Sequence, residues 1–298
     1  MAVKKYLKLT EDAAEEVLEL EEICNRYDGL KGSVFLDTSL NFKQNIPSIF
    51  LYYEDGLLIS MLSMFIPSHV EVEISALTRP EYRGNGYFKA LLSQALEELR
   101  FHNIPEILFV CERSSISGKK ALAALRAEFE HAEYYMSLVK ADHEPGQTSD
   151  LDLLKPDLRD LETVVELSIK TFADNYQDSK SRIENCFNSE TREQFLVVLG
   201  NKVIGLVAVN HLDGEEASIF GLGILPEYRG LGYGKELMEL ILEYLWNRGK
   251  TRLTLEVDSE NERALNLYQG KGFKIEIAYD YYRKKVAAFD AWRERVGK

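Results

Sequence analysis

Pro80-Glu-Tyr-Arg-Gly-Asn-Gly-Tyr87 and Pro226-Glu-Tyr-Arg-Gly-Leu-Gly-Tyr233 agree at seven of eight positions, 146 residues apart. The likeness extends outward from both copies. Upstream, Ile49 to Leu62 and Phe195 to Ala208 each read as strand, turn and strand, with Asp55-Gly56 or Gly200-Asn201 at the bend. Val70 to Leu77 and Ala217 to Leu225 read as the strands that feed the glycine-rich turns. Downstream, Phe88, Leu91, Leu92, Ala95, Leu96 and Leu99 recur at helical spacing, as do Leu237, Leu240, Ile241, Tyr244 and Leu245. A strand follows (Ile107 to Cys111, Arg252 to Val257), then a helix and an aromatic-rich terminal stretch. Each half opens with a strand, Tyr6 to Leu9 or Leu151 to Leu154, and a helix, Glu11 to Asn25 or Asp157 to Phe172. The one stretch without apolar periodicity, Ala141 to Asp150, carries Pro145-Gly146. The expected domains are therefore 1–144 and 150–298, two tandem α/β domains, each a mixed sheet flanked by helices.

Composition agrees with two ordinary globular domains: 298 residues, 45% hydrophobic and 29% charged. The net charge of -13 argues against a basic nucleic-acid footprint and mildly favours a cationic partner. The longest apolar run, Leu57 to Ile66, is half of what a membrane span needs, about twenty residues. The N-terminus runs straight into an acidic helical pattern without a signal-peptide core. Cys24, Cys111 and Cys186 are scattered, outside any metal-ligand spacing, as are the five histidines. We expect a reduced, cytoplasmic, soluble protein without a metal, a membrane partner or a nucleic-acid partner.

A strand that ends in Arg-Gly-X-Gly-X-Gly and opens a helix is a device for holding phosphate. The glycines let the backbone approach, and the first helical N–H groups face the anion. A Walker loop is excluded because no Gly-Lys-Ser/Thr closes either copy. A dinucleotide turn belongs at the start of a βαβ unit, whereas these turns lie about 80 residues into each half and contain an arginine. A coenzyme A cradle is the third reading.

Here the chain resembles the GNAT superfamily of acetyl-CoA-dependent N-acetyltransferases. Its Arg/Gln-x-x-Gly-x-Gly/Ala signature is met by Arg229, Gly230, Leu231, Gly232, Tyr233 and Gly234. A second signature, Asn-x-x-Ala-x-x-Leu-Tyr-x-x-x-Gly-Phe, is met by Asn261, Ala264, Leu267, Tyr268, Gly272 and Phe273. The likeness covers most of the C-terminal half and, through the repeat, nearly the whole chain. It implies acetyl-CoA as co-substrate and a bulged strand around Phe220 to Leu225. Backbone groups of Leu222, Gly223, Ile224 and Leu225 would pair with the pantetheine arm, and Gly221 and Gly223 suit the bulge. Arg229 would add a charge-assisted donor to the phosphates.

Further implied roles are Tyr268 as the acid for the departing thiolate and Asn261 as a hydrogen-bond partner of the cofactor arm. Each has a second reading: Tyr268 as a core residue, Asn261 as a helix cap within Ser259-Glu-Asn-Glu262. For the base, Glu216 shares strand parity with Ser218 and Phe220; an exposed strand-start carboxylate with a water chain doing the work is the alternative. Cys186 has no place in the scheme as a nucleophile.

The first half keeps Arg83, Gly84, Asn85, Gly86 and Tyr87, a possible second cofactor site, but has Phe88 at the final glycine position. Placing Leu125 or Ala124 opposite Tyr268, with Gly118 or Ser117 opposite Asn261, supplies no phenol. We expect a non-catalytic N-terminal domain and a catalytic C-terminal one that acetylates a primary amine, small molecule before protein N-terminus or lysine. A non-catalytic acyl-CoA sensor is the alternative from another class. The acidic helix around Val17, Leu18, Leu20 and Ile23 reads as a solvated face or a lure for a polycation. Tyr279, Tyr281 and Tyr282 read as core, sheet surface or acceptor-cleft residues.

Overall fold

The computed structural model describes residues 2–144, 146, 150–212 and 214–289. Parts of the expected linker, Pro145 and residues 147–149, lie outside them, as do residues 290–298. The first repeat contributes β1 (Ala2–Tyr6), α1 (Glu11–Asp28), β2 (Ile49–Glu54), β3 (Leu57–Phe65), β4 (Glu71–Thr78), α2 (Tyr87–Phe101), β5 (Glu106–Glu112), α3 (Ile116–Leu125) and β6 (Glu128–Val139). The second contributes β7 (Leu151–Leu154), α4 (Leu161–Phe172), α5 (Tyr176–Phe187), β8 (Arg192–Leu199), β9 (Lys202–His211), β10 (Glu216–Ile224), α6 (Tyr233–Asn247), β11 (Arg252–Asp258), α7 (Glu262–Gln269) and β12 (Lys274–Lys285). The expected hairpins form as β2–β3 and β8–β9, the first turning at Asp55 (φ 52°) and Gly56 (φ 84°). Both positive angles match the strand twist of a tight hairpin. The opening strand lies at Ala2–Tyr6, earlier than its expected span, because it pairs with β2 from Ala2↔Tyr53 to Tyr6↔Ile49.

Two compact units result, and their borders are not those of the repeat. One comprises the described residues of Met1–Ala132 and Ile277–Lys298, the other Glu133–Glu276. The expected ranges 1–144 and 150–298 follow the repeat; the units cut through β6 and β12 instead. Each terminal strand starts in the unit of its own repeat and finishes in the other.

In the first unit β1, β2, β3, β4 and β5 are followed by the later part of β12, antiparallel to β5 from Tyr279↔Glu112 to Lys285↔Glu106. Tyr279, Tyr281 and Tyr282 therefore serve this unit. Tyr281 is buried and stacks on His131 at 4.4 Å, and Tyr282 meets Phe129 edge-on at 5.8 Å. One sheet face is covered by α2 through Leu91, Leu92, Ala95, Leu96 and Leu99, the other by α1 through Val17, Leu20 and Cys24. Leu18 of the acidic helix is exposed and belongs to no core.

In the second unit β6 pairs antiparallel with β11 from Arg252↔Val139 to Asp258↔Glu133, and β10, β9, β8 and β7 follow. One face carries α6 and α7, with Leu237, Ile241, Leu245, Leu253, Leu255 and Val257 in a shared core. Against the other pack α4 and α5, through Val164, Val165 and Ile183 on Leu196.

Candidate functional site

β10 decides the geometry of the second unit. On one side it runs antiparallel to β9 from Ala217↔His211 to Ile224↔Gly205, slipping by one residue between Phe220 and Gly223. On the other it is parallel to β11 only from Glu216↔Arg252 to Ser218↔Thr254. Beyond Ser218 the two strands part, so the β11-facing backbone of β10 is left without a ladder partner among the described residues. Free strand backbone of this kind accepts an extended ligand as an added strand.

The bulge falls where the glycines predicted it. Gly221 adopts φ 56°, a left-handed conformation that suits glycine. Gly223 answers to space instead: a Cβ there would lie 2.3 Å from the Thr171 methyl and 2.8 Å from the Phe172 ring. The end of α4 thus presses directly on the bulge.

The turn that follows leads into α6. Gly230 and Gly232 adopt φ 80° and 95°, and Gly232 caps α6 without any side-chain hydrogen bond. A Cβ built on either would meet nothing within 4 Å. The positive angles explain the glycines, and the open space above them, at the N-terminal pole of a 15-residue helix, has room for an anion. Leu231 is exposed at the crest, Tyr233 is partly buried on the core, and a Cβ on Gly234 would lie 3.9 Å from the Leu267 side chain of α7.

Arg229 corrects one expectation. Its Nε donates to the Ile224 carbonyl (2.8 Å) and its Nη2 to the Thr171 carbonyl (2.5 Å). The guanidinium is a strut between the end of β10 and the end of α4, where a cation also suits the helix dipole. Arg83 does the same in the first repeat: Nε to the Thr78 carbonyl (3.0 Å), and a bidentate pair with Asp28 at the end of α1 (2.9 and 2.7 Å).

Tyr268, on α7, is 8% exposed and packs in the core cluster with Phe273. Burial raises its phenol pKa, so it stays protonated at neutral pH. Asn261 caps α7, its Oδ1 accepting from the Ala264 amide at 3.1 Å. The expected box headed by Ser259 does not form, since the helix starts at Glu262 and Asn261 itself holds the cap position. Cys186 is buried in α5, with burial pushing its thiol to about 11.

Glu216 opens β10, at its paired end, six positions before Leu222. Its carboxylate accepts from Arg252 Nη1 at 3.0 Å, and Arg252 Nη2 donates to Glu276 at 2.7 Å. The structure therefore places Glu216 in an ion-pair network rather than beside Tyr268. On β11, just past the last β10–β11 pair, burial and then the Glu133 charge push the Glu256 carboxyl up to about 7.

The first repeat now has a defined register. Ser115 caps α3 through Gly118 as Asn261 caps α7 through Ala264. The Ala127 amide donates to the Leu122 carbonyl as Phe273 does to that of Tyr268 (3.1 Å each). Both pairs keep the 146-residue spacing, so Ser115 and Leu122, rather than the expected Gly118 or Ser117 and Leu125 or Ala124, stand opposite Asn261 and Tyr268. Unlike β10, β4 pairs with β3 without a slip, from Ser60↔Thr78 to Phe65↔Glu73. Gly84 and Gly86 retain the positive angles and the open space. Asn85 is turned to the Tyr82 carbonyl and Tyr87 to Glu54.

Among the described residues no cluster of His, Cys, Asp and Glu could hold a metal, and no helix is long and apolar enough to cross a membrane.

Comparison with known proteins is consistent with this geometry. The acetyltransferase (GNAT) family profile matches residues 14–129 and 161–273. A mycothiol acetyltransferase of Stackebrandtia nassauensis is 27% identical over 95% of this chain and 99% of its own. The [ribosomal protein bS18]-alanine N-acetyltransferase of Escherichia coli is 31% identical over 33% of this chain and 69% of its own. Among solved structures, a GCN5-related N-acetyltransferase from Sphaerobacter thermophilus superposes with TM-score 0.76 at 17% identity, covering 96% of this chain and 95% of that one. A tandem GNAT protein from the clavulanic acid biosynthesis pathway gives 0.69 at 16%, covering 96% and 99%.

Proposed function

The chain belongs to the GNAT acetyltransferase family, and from that premise we propose that its second repeat transfers the acetyl group of acetyl-CoA to the primary amine of a small molecule, directly and without a covalent enzyme intermediate. The observation that carries this reading is the coincidence, in one repeat, of the bulged and splayed β10, the glycine cradle and Tyr268. Open space over Gly230 and Gly232 fits a pyrophosphate, held by backbone N–H groups at the start of α6. The unpaired backbone of Leu222 to Leu225 offers strand-like pairing to the pantetheine arm, and Asn261 can turn its amide nitrogen to the same arm while its oxygen caps α7. Acetyl-CoA supplies an activated thioester; Tyr268 keeps its proton until the thiolate departs. Arg229 positions the cradle by joining β10 to α4.

A small acceptor is favoured because the mycothiol acetyltransferase likeness spans nearly both chains, whereas the likeness to a protein-modifying relative covers a third of this one. The first repeat keeps the cradle but has neither bulge nor phenol, and we assign it a non-catalytic role.

The test is acetyl-CoA turnover over a panel of small amines, read by mass spectrometry of the acetylated product. Tyr268→Phe is expected to lower kcat by about 10²–10⁴-fold, the usual worth of a positioned acid, with the affinity for acetyl-CoA kept. Acetylated product from the wild type at the same rate as from the variant contradicts the assignment.

A further inference from the structure

We infer that Glu239, a carboxylate buried within α6, is a positioning residue for Tyr268: by holding Lys271 it fixes the turn that closes α7, and with it the phenol, against the helix that carries the cradle. This rests on the acetyl-transfer reading above, with Tyr268 as the acid, and adds to it the group that keeps the acid in place.

The acid sits where a helix is weakest. α7 has eight residues, Glu262–Gln269, and Tyr268 is the last but one. So short a helix is marginal by itself, and its final carbonyls find no partner within it. The turn beyond supplies them. The Lys271 amide donates to the Tyr268 carbonyl at 3.0 Å and the Phe273 amide to the same oxygen at 3.1 Å, around Gly272 at φ 94°. A displacement of Lys271 therefore reaches the Tyr268 backbone directly.

Lys271 is anchored in turn by Glu239, which is 8% exposed in the middle of α6. One carboxylate oxygen, Oε2, accepts from the Lys271 ammonium. The other, Oε1, accepts from the Gly146 amide at 2.8 Å and meets His143 Nε2 at 3.0 Å. Burial alone would push this carboxyl up; the Gly146 amide and the Lys271 ammonium outweigh it and hold the group below its ordinary range. The fit is close, since a Cβ on Gly146 would lie 2.8 Å from the carboxylate and 3.2 Å from Lys271 Nζ. Asp142 braces the same turn: its carboxylate accepts from Lys274 at 2.7 Å, and its carbonyl lies 3.5 Å from where a Cβ on Gly272 would stand.

Stability alone does not account for the pair. Two charges taken out of water are often no better for folding than apolar side chains of the same size, because desolvation offsets their attraction. The first repeat does without them: Ser93 and Leu125 occupy the positions of Glu239 and Lys271, 146 residues earlier. Ser93 bonds to the Lys89 carbonyl of its own helix at 3.0 Å. Carboxylate, ammonium and phenol thus occur together in one repeat and are replaced together in the other.

The test is single-turnover release of the coenzyme A thiol from acetyl-CoA, with hydroxylamine as a small acceptor that is largely unprotonated at neutral pH. It compares Glu239→Gln, Tyr268→Phe and the double variant, with acetyl-CoA affinity by calorimetry and circular dichroism verifying that each binds and folds. Glu239→Gln is expected to lower the rate by about 10–10²-fold, as misplacing a reacting group by about 1 Å does, with acetyl-CoA affinity within about twofold of wild type. In the Tyr268→Phe background the same substitution is expected to change the rate by less than about twofold, because no acid is left to misplace. Lys271→Met, which leaves the Glu239 carboxylate on Gly146 and His143, is expected to repeat both results, and Lys271→Arg to recover most of the rate. Wild-type rates from Glu239→Gln and Lys271→Met, or losses as large in the Tyr268→Phe background as outside it, overturn the inference while leaving the acetyl-transfer reading intact. Tyr268→Phe at the wild-type rate removes the acid, and this inference with it. A wild type that binds acetyl-CoA and releases no thiol overturns the acetyl-transfer reading itself.

Discussion

The two repeats share a register but differ at three places in and around the proposed site. β10 is bulged at Gly221 and β4 runs straight. Tyr268 corresponds to Leu122 and Gly234 to Phe88, each 146 residues apart. What the repeats keep in common is scaffolding: the arginine that ties a strand end to a helix end, the left-handed glycines, and the capped last helix of each, α3 and α7. The bulge even shows as an insertion. Glu71 and Glu216, which open the matching ladders with β5 and β11, are 145 apart, whereas Thr78 and Ile224 beyond the bulge are 146 apart. A single extra residue separates a bulged strand from a straight one; both leave their parallel neighbour early, β4 after Ile74 and β10 after Ser218.

The largest effect should come from cutting the chain at the repeat border. A fragment of 150–298 keeps β11 but lacks β6, which supplies its seven partners from Val139 to Glu133. We expect it to lose near-ultraviolet circular dichroism and the cooperative urea transition shown by the full chain, because an open hydrophobic edge strand invites aggregation. A fragment that unfolds cooperatively would show that the strand exchange is dispensable. The smallest effect separates scaffold from site. Ser115→Ala and Asn261→Ala each remove a helix cap, worth about 0.5–2 kcal/mol, so both should lower stability to urea by similar amounts. Only Asn261→Ala should also raise the KM for acetyl-CoA. Equal KM values for the two variants would reduce Asn261 to a cap.

Legibility in the sequence followed locality. The cradle and the Asn261–Tyr268 segment were readable because turn and cap chemistry is written in adjacent residues, and the bulge because two glycines mark it. The exchange of β6 and β12 was not, since an alternating strand does not name its partner. Arg229 misled because a cation beside a phosphate cradle has an obvious use, and only the positions of the Ile224 and Thr171 carbonyls show another. The α3 register escaped alignment because caps, not apolar residues, define it. Glu216 looks suitable from strand parity alone, and only the structure shows Arg252 on it.

The central claim, one active site in two repeats, is tested most directly by breaking each cradle in turn and measuring acetyl transfer. Gly232→Val and Gly86→Val place a β-branched residue at φ 95° and 89°, which its side chain resists. Losing two hydrogen bonds to a charged phosphate, about 1.5–3 kcal/mol each, predicts a fall in kcat/KM of about 10²-fold or more for Gly232→Val. For Gly86→Val the account predicts transfer within about twofold of wild type, as expected for a cradle that performs no chemistry. The opposite order, or equal losses from both, would contradict it.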